Sequence, residues 1–202
     1  MNTKSRKTIM FITRIAILAA TATILMIFEF PLPFVAPPFY ELDFSELPVL
    51  IGAFSMGPLA GALIELIKVL LNLVINGTDT AFVGEFANFL MGCSFVVPAA
   101  IIYKFHKTKS GALVSMLSGT LIMSVCAFFL NAYLLIPTYS KVYGLPIELI
   151  VSMGKEIFPI ISSVPELALY CVVPFNFIKG ILISVITFIL YKHIHKLLKK
   201  IA

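Results

Sequence analysis

Apolar stretches of about 20 residues, the length that a helix needs to cross the hydrocarbon core of a bilayer, recur along this chain. Hydrophobic residues make up 60% of the 202 residues and charged residues only 12%, whereas a soluble globular domain has about 25% charged residues. The sequence therefore predicts an integral membrane protein. We expect one membrane domain over residues 1–202 and no separate soluble domain.

Turns and prolines divide the chain into six predicted transmembrane helices, so the expected fold is all-α. Their expected ranges are 7–30, 43–56, 58–75, 85–103, 111–133 and from 174 onward. The N-terminal apolar run is longer than the core of a signal peptide, so we interpret it as the first helix. The second helix is short, because about 14 residues at about 1.5 Å each cannot cross about 30 Å of hydrocarbon.

Local signals set some of these boundaries. Asp43 and Glu46 have the spacing of a capping box, so we expect Asp43 to cap the second helix. Proline is favoured in the first turn of a helix, so the last helix is expected to begin at Pro174. Before it, residues 147–158 are expected to form a short amphipathic helix at the membrane surface.

The uneven distribution of charge predicts an orientation. Basic residues concentrate near both ends of the chain and in one loop: Lys4, Arg6, Lys7, Lys104, Lys107, Lys109, Lys192, Lys196, Lys199 and Lys200. Positively charged segments stay in the cytoplasm, so six crossings place both termini there. The expected outer segments then hold most of the acids: Glu41, Asp43, Glu46, Asp79, Glu85, Glu148, Glu156 and Glu166. The net charge of +5 therefore reflects topology and does not indicate nucleic-acid binding.

Lys179 is a cation inside an apolar run, and placing such a residue in a membrane helix costs about 2.5 to 3.5 kcal/mol. Residues kept at that cost usually mark a functional site. Asn176 lies on the same helical face, and Asn131 is expected at a similar depth on the fifth helix. A helix that starts at Pro174 would place Lys179 about 8 Å along its axis, in the outer third of the bilayer. The three side chains suit a ligand rich in hydroxyl and carbonyl groups, although hydrogen bonding between helices is the alternative.

The loop before the second helix is aromatic and stiffened by prolines. It carries Phe34, Phe39, Tyr40 and Phe44, and the topology brings it near three more aromatic residues: Phe128, Phe129 and Phe175. Such surfaces can enclose a flat ring system. An aromatic belt at the membrane interface would explain about half of these residues equally well.

Two further patterns concern helix packing. Ala16 and Ala20 in the first helix have small-xxx-small spacing, which lets another helix approach closely, and Gly57 and Gly61 repeat it. Glu65 and Lys68 lie three residues apart inside the third helix, so we expect a neutralising structural pair. We do not expect a proton relay, because further ionisable groups in series are not evident in the sequence.

The sequence offers little for catalysis. It contains no GxxxxGK[ST] and no HExxH motif, and its three cysteines and three histidines do not have the spacing of a metal site. The chain is therefore not expected to be an enzyme.

Several segments, taken in their order and spacing, resemble the riboflavin-specific S components of energy-coupling factor (ECF) transporters. They are residues 41–48, 52–54, 57–61, 131–133 and 174–180, and the similarity covers nearly the whole chain. The resemblance implies a substrate-capture subunit in a bacterial cytoplasmic membrane, with riboflavin as transported ligand and no cofactor. It also implies partners, namely a transmembrane coupling subunit and two ATPase subunits, and toppling of the S component in the membrane to release the vitamin.

The resemblance assigns roles to individual residues. Asn131, Asn176 and Lys179 are expected to bind ribityl hydroxyls and ring carbonyls, and Ala16 and Ala20 to contact the coupling subunit. The remaining expected substrate contacts are the lid residues and one residue of the fourth helix: Tyr40, Glu41, Phe44, Ser45 and Asn88. Two alternatives stay open, an S component for a different vitamin and another small-molecule membrane transporter.

Overall fold

The computed structural model describes residues 3–78 and 80–201, with side chains described for 5–78 and 80–190. Its elements are α1 Thr3–Ile27, β1 Phe30–Pro31, β2 Glu41–Leu42, α2 Glu46–Met56, α3 Pro58–Asn76, α4 Val83–Phe105, α5 Lys109–Leu130, α6 Ile136–Tyr143, α7 Ile147–Ile157, α8 Val164–Leu167 and α9 Val173–Ile201. Asp79 and the side chains of Lys4, Lys192, Lys196, Lys199 and Lys200 lie outside the described residues.

Within this described part, five helical stretches are long and apolar enough to cross a membrane: 5–27, 58–76, 83–105, 109–143 and 164–190. Helix α2 is a shorter apolar helix of 11 residues. The prediction of a helical membrane protein is confirmed, and so is the short second helix. The six crossings and the cytoplasmic location of both termini stay predictions.

The fifth and last helices are longer than the sequence predicted. Helix α5 does not end at Tyr133 but continues through a π-helical turn, Asn131–Leu135, into α6. A second π-helical turn, Ala168–Val172, joins α8 to α9, so the last helix begins at Val164 and not at Pro174.

Both boundary errors have the same physical cause. Pro137 and Pro174 are each the second residue after a π-helical turn. Proline has no backbone N–H to donate, and the wider π turn before it accommodates the missing bond without ending the helix. Lys179 therefore lies about 22 Å from Val164 along the axis, at about 1.5 Å per residue. The prediction that Lys179 lies about 8 Å from the start of its helix is therefore wrong.

The helices pack closely where small residues face each other. Helix α5 contacts both α4 and α9, while α3 contacts α1, α2 and α4. A Cβ atom at Gly61 would lie 2.7 Å from the Ala53 Cβ, so this glycine allows α2 and α3 to approach. The small-residue pattern at Gly61 thus serves internal packing.

The segment between α1 and α2 folds over one end of the bundle, here called the ribbon end because β1 and β2 pair there. The pairing is antiparallel, with Phe30 opposite Leu42 and Pro31 opposite Glu41. Residues 28–45, called the ribbon loop, bury Val35, Ala36 and Leu42 against α6 to α9. Helix α7 confirms the short helix predicted at 147–158, and it packs Ile150 into the same cluster.

Candidate ligand-binding cavity

A cavity of about 170 Å³ lies beneath the ribbon loop, among α4, the π-helical turn Asn131–Leu135, α6, α7 and α9. Six of the residues expected to bind substrate line it: Tyr40, Glu41, Asn88, Asn131, Asn176 and Lys179. Two others lie outside the lining. Phe44 packs against Phe30, with ring centroids 6.3 Å apart, and Ser45 is buried and hydrogen-bonded to neighbouring charged groups.

The two π-helical turns position two of the three asparagines that line the cavity, Asn131 and Asn176. The Asn131 Nδ2 donates to the Ala127 carbonyl, and the Asn176 Nδ2 donates to the Val172 carbonyl, each at 2.9 Å. These bonds fix each carboxamide at the border of a π turn, a kind of irregularity often found at functional sites. The Tyr40 hydroxyl donates to the Asn131 Oδ1 at 2.8 Å. The ribbon loop is therefore tied directly to the floor of the cavity.

Lys179 is buried and paired with carboxylates from α2 and the residues before it. Its Nζ lies 2.8 Å from the Asp43 Oδ2 and 3.7 Å from the Glu46 Oε1. The predicted capping box was wrong, since Ser45 precedes α2 and no side chain caps the helix. The other Asp43 oxygen accepts from the Ser45 N–H at 2.6 Å, so Asp43 holds its own backbone turn and Lys179 together.

The network of buried ion pairs around Lys179 continues to α3. Lys68 Nζ lies 3.4 Å from the Glu46 Oε1 and 2.6 Å from the Glu65 Oε1, which confirms the predicted Glu65–Lys68 pair. Lys68 also donates to the Ser45 Oγ at 2.9 Å. The expectation that no further ionisable groups stand in series was wrong, because three carboxylates and two ammonium groups form one buried chain from Asp43 to Glu65.

Aromatic rings form one wall of the cavity. The ring of Tyr40 lies 5.9 Å from that of Phe175 and 4.6 Å from that of Phe39, measured between centroids. Phe39 in turn stacks on Tyr139 at 6.2 Å. Phe34 and Phe129, also expected near a ligand, are largely exposed, as residues of an interfacial belt would be.

Sequence reasoning missed most of the face that α4 contributes. Val83, Gly84, Ala87 and Met91 line the cavity together with Asn88. Their spacing of three and four residues places them on one side of a helix, and two of them are small. A search for a stripe of small residues around Asn88 would have found this wall.

The cavity presents groups for hydrogen bonding and none that suggests a metal. The Asn88 Oδ1 is buried and has no hydrogen-bond partner in the described part of the chain, which calls for a donor from a ligand. Among the side chains described, those of residues 5–78 and 80–190, there is no cluster of His, Cys, Asp and Glu able to hold a metal ion.

Three carboxylates of the ribbon loop, Glu29, Glu41 and Asp43, lie close enough to interact, and Glu41 lines the cavity. Burial and the nearby charges of Glu41 and Asp43 raise the pKa of Glu29 to about 7, against a smaller opposing effect of Lys179. Burial alone would raise the pKa of Asp43, but the ammonium groups of Lys179 and Lys68 lower it to about 2.

These two shifts have opposite consequences for stability. A raised carboxyl pKa means that the folded protein binds more protons than the unfolded chain, so stability falls as the pH rises from about 4.5 through 7. The lowered pKa of Asp43 affects stability only below about pH 4, where the carboxyl begins to be protonated.

We expect Glu29→Gln to reduce the drop in melting temperature that occurs as the pH rises from 5.5 to about 8. Thermal unfolding of the purified protein measures this, with the exposed Glu148→Gln as the matched control; equal losses in Glu29→Gln and wild type would contradict it.

Comparison with known proteins gives consistent matches over most of the chain. Residues 10–191 match the family described as "ECF transporter, substrate-specific component". The chain is 35% identical to the riboflavin transporter RibU of Staphylococcus aureus, over 93% of this chain and 91% of that protein. It is 33% identical to the riboflavin transporter FmnP of Bacillus subtilis, over 85% of each. A solved S component of a bacterial ECF transporter superposes with a TM-score of 0.72 at 34% identity, covering 98% of this chain and 99% of that one.

Proposed function

The chain belongs to the family of ECF transporter substrate-specific components, and we propose that it captures riboflavin in the cavity beneath the ribbon loop. Like its relatives it is a transporter component and not an enzyme. Riboflavin is its transported ligand and not a cofactor, and the protein is a multi-pass protein of the cytoplasmic membrane.

One observation supports this proposal most strongly, the division of the cavity into an aromatic wall and a polar wall. The isoalloxazine ring is flat and needs apolar contact on its faces, as the rings of Phe39, Tyr40 and Phe175 offer. The ribityl chain and ring carbonyls need convergent donors and acceptors. Asn131, Asn176 and Lys179 supply them, and the unpartnered Asn88 Oδ1 supplies a further acceptor.

Binding requires the ribbon loop to move. The cavity volume of about 170 Å³ is below the usual range for a drug-sized ligand, about 300–1,000 Å³. The hydrogen bond from Tyr40 to Asn131 closes the space, so the ligand replaces that bond with its own contacts as the loop shifts.

The proposed orientation places the ribbon end outside the cell and both termini in the cytoplasm, with α2 and five longer helices making six crossings. The basic loop 104–110 then lies in the cytoplasm, as the charge rule requires. The cavity opens outward, which suits capture of a vitamin from the medium.

Titration of purified protein with riboflavin tests the function. We expect quenching of flavin fluorescence to saturate at one ligand per chain, and protein from riboflavin-grown cells to show a flavin absorption band. Asn131→Ala should weaken binding about tenfold, on the order of 1.4 kcal/mol. Saturation by a different vitamin, with no response to riboflavin, would instead indicate an S component of another specificity.

We also propose that α1 contacts the transmembrane coupling subunit, which works with two ATPase subunits. Ala16 and Ala20 are exposed, while Ile15, Ala19 and Ala22 on the other side of α1 are buried in the core. The small residues therefore face away from the bundle, where another helix can approach closely.

Replacing both Ala16 and Ala20 with tryptophan is expected to abolish co-purification with the coupling subunit and leave riboflavin affinity unchanged, because bulk on this face touches neither cavity nor core. Pull-down of the coexpressed complex measures assembly. Val125→Trp, at an exposed position on α5, is the control for adding tryptophan to the membrane surface. Normal assembly of the double variant would exclude this face as the contact.

A further inference from the structure

A second cavity lies at the opposite end of the bundle, here called the turn end because α2 and α3 meet there at Gly57. Its volume is about 330 Å³. The walls come from the last turn of α2, the start of α3, and the last turns of α4 with the loop that follows.

This second cavity, here called the recess, exists because α4 extends further than α3 toward the turn end. Glu65 on α3 and Gly92 on α4 lie side by side, because a Cβ at Gly92 would collide with the Glu65 carboxylate. From that level α3 reaches back to Pro58, about 10 Å, whereas α4 continues to Phe105, about 20 Å. The α2–α3 turn therefore stops about 10 Å short of the end of α4, and the space left over is the second cavity.

The recess combines an apolar floor with a cationic rim. The rings of Phe54 and Tyr103 stack with centroids 4.3 Å apart, and both line the cavity. Lys104 and Lys107 stand exposed at its edge. Among the described side chains, neither lysine has a carboxylate within ion-pair distance.

Another lysine of the same loop is engaged elsewhere. The Lys109 Nζ lies 4.5 Å above the ring of Phe188, in cation–π contact, and does not line the recess. The charge offered to a ligand here is thus that of Lys104 and Lys107.

We propose that this recess binds an anionic phospholipid of the cytoplasmic leaflet, with the headgroup phosphate between Lys104 and Lys107 and the upper acyl chain on the apolar floor. Basic pockets between helices on the cytoplasmic side suit such headgroups. The inference depends on the proposed orientation but not on the identity of the transported vitamin.

Native mass spectrometry of the full chain from nanodiscs tests this, using equal amounts of phosphatidylglycerol and phosphatidylcholine. We expect wild type to retain phosphatidylglycerol about tenfold or more over phosphatidylcholine, in line with the attraction of two lysines to anionic lipid. Lys104→Gln with Lys107→Gln should remove the preference, and Lys107→Gln alone should reduce it. Lys141→Gln with Lys155→Gln makes the same change in net charge away from the recess and should leave the preference intact.

Parallel measurements separate this site from the other proposals. Riboflavin affinity should be equal in all these variants, so a failure here leaves the transport proposal standing. Equal retention of the two lipids by wild type, or equal losses in both double variants, would overturn the lipid site. Release of the retained phosphatidylglycerol by added inorganic phosphate would also overturn it, because the recess would then recognise phosphate alone. If lipid preference is unchanged but the Lys104 and Lys107 double variant loses its coupling subunit, the recess binds an acidic protein segment instead.

Discussion

Lys179→Met is expected to weaken riboflavin binding by about tenfold to a hundredfold, a loss of roughly 1.5 to 3 kcal/mol for a hydrogen bond from a charged donor. Lys179 lines the cavity, and its Nζ is held 2.8 Å from the Asp43 Oδ2. The ammonium group is therefore fixed in place before the ligand arrives. Methionine keeps the length and apolar body of the side chain but removes the donors.

The difficulty with this variant is that it also leaves Asp43 buried without a cation. Asp43→Asn combined with Lys179→Met removes the unpaired charge while leaving the ligand contact absent. We expect this double variant to recover thermal stability but not affinity. Fluorescence titration and melting curves on the two variants separate the roles, with Lys155→Met as an exposed control. Wild-type affinity in Lys179→Met would exclude the lysine from the ligand site.

The sequence predicted Lys179 but not its partner, for a physical reason. A cation in an apolar run is visible locally because its burial is costly. Asp43 has the spacing of a helix cap, and its contact with Lys179 joins residues 136 positions apart. Spacing along the chain carries information about local bonds and none about such a contact.

The same distinction applies to the helices. Long apolar helices are predictable because the bilayer requires satisfied backbone groups and about 20 apolar residues per span. The π-helical turns Asn131–Leu135 and Ala168–Val172 are not, since proline usually indicates a helix start. Those turns are stabilised where the two helices meet, around Ala132 and Ala168, and this packing exists only in the folded protein.

Lys68→Met is expected to produce the largest loss of stability, on the order of 3 to 5 kcal/mol, the cost of breaking a buried ion pair from one side. Lys68 is fully buried, and both Glu46 and Glu65 lie within 3.4 Å of its Nζ. Without the ammonium group, two carboxylates remain in the interior, and among the described side chains only Lys179 is a cation in ion-pair contact with either of them, 3.7 Å from the Glu46 Oε1. The measurement is thermal or denaturant unfolding of the purified variant in detergent, compared with Lys155→Met.

A second variant tells whether the loss comes from unpaired charge or from lost packing. Glu65→Gln combined with Lys68→Met removes one acid and one base together, so it should be more stable than Lys68→Met alone. Because Glu46 is shared by Lys68 and Lys179, Lys68→Met should also alter riboflavin affinity, and the double variant should alter it about equally, since Glu46 loses Lys68 in both. If Lys68→Met melts at the wild-type temperature, the buried chain of charges does not stabilise the fold. If both variants lose stability equally, the loss comes from packing around α3 and not from unpaired charge.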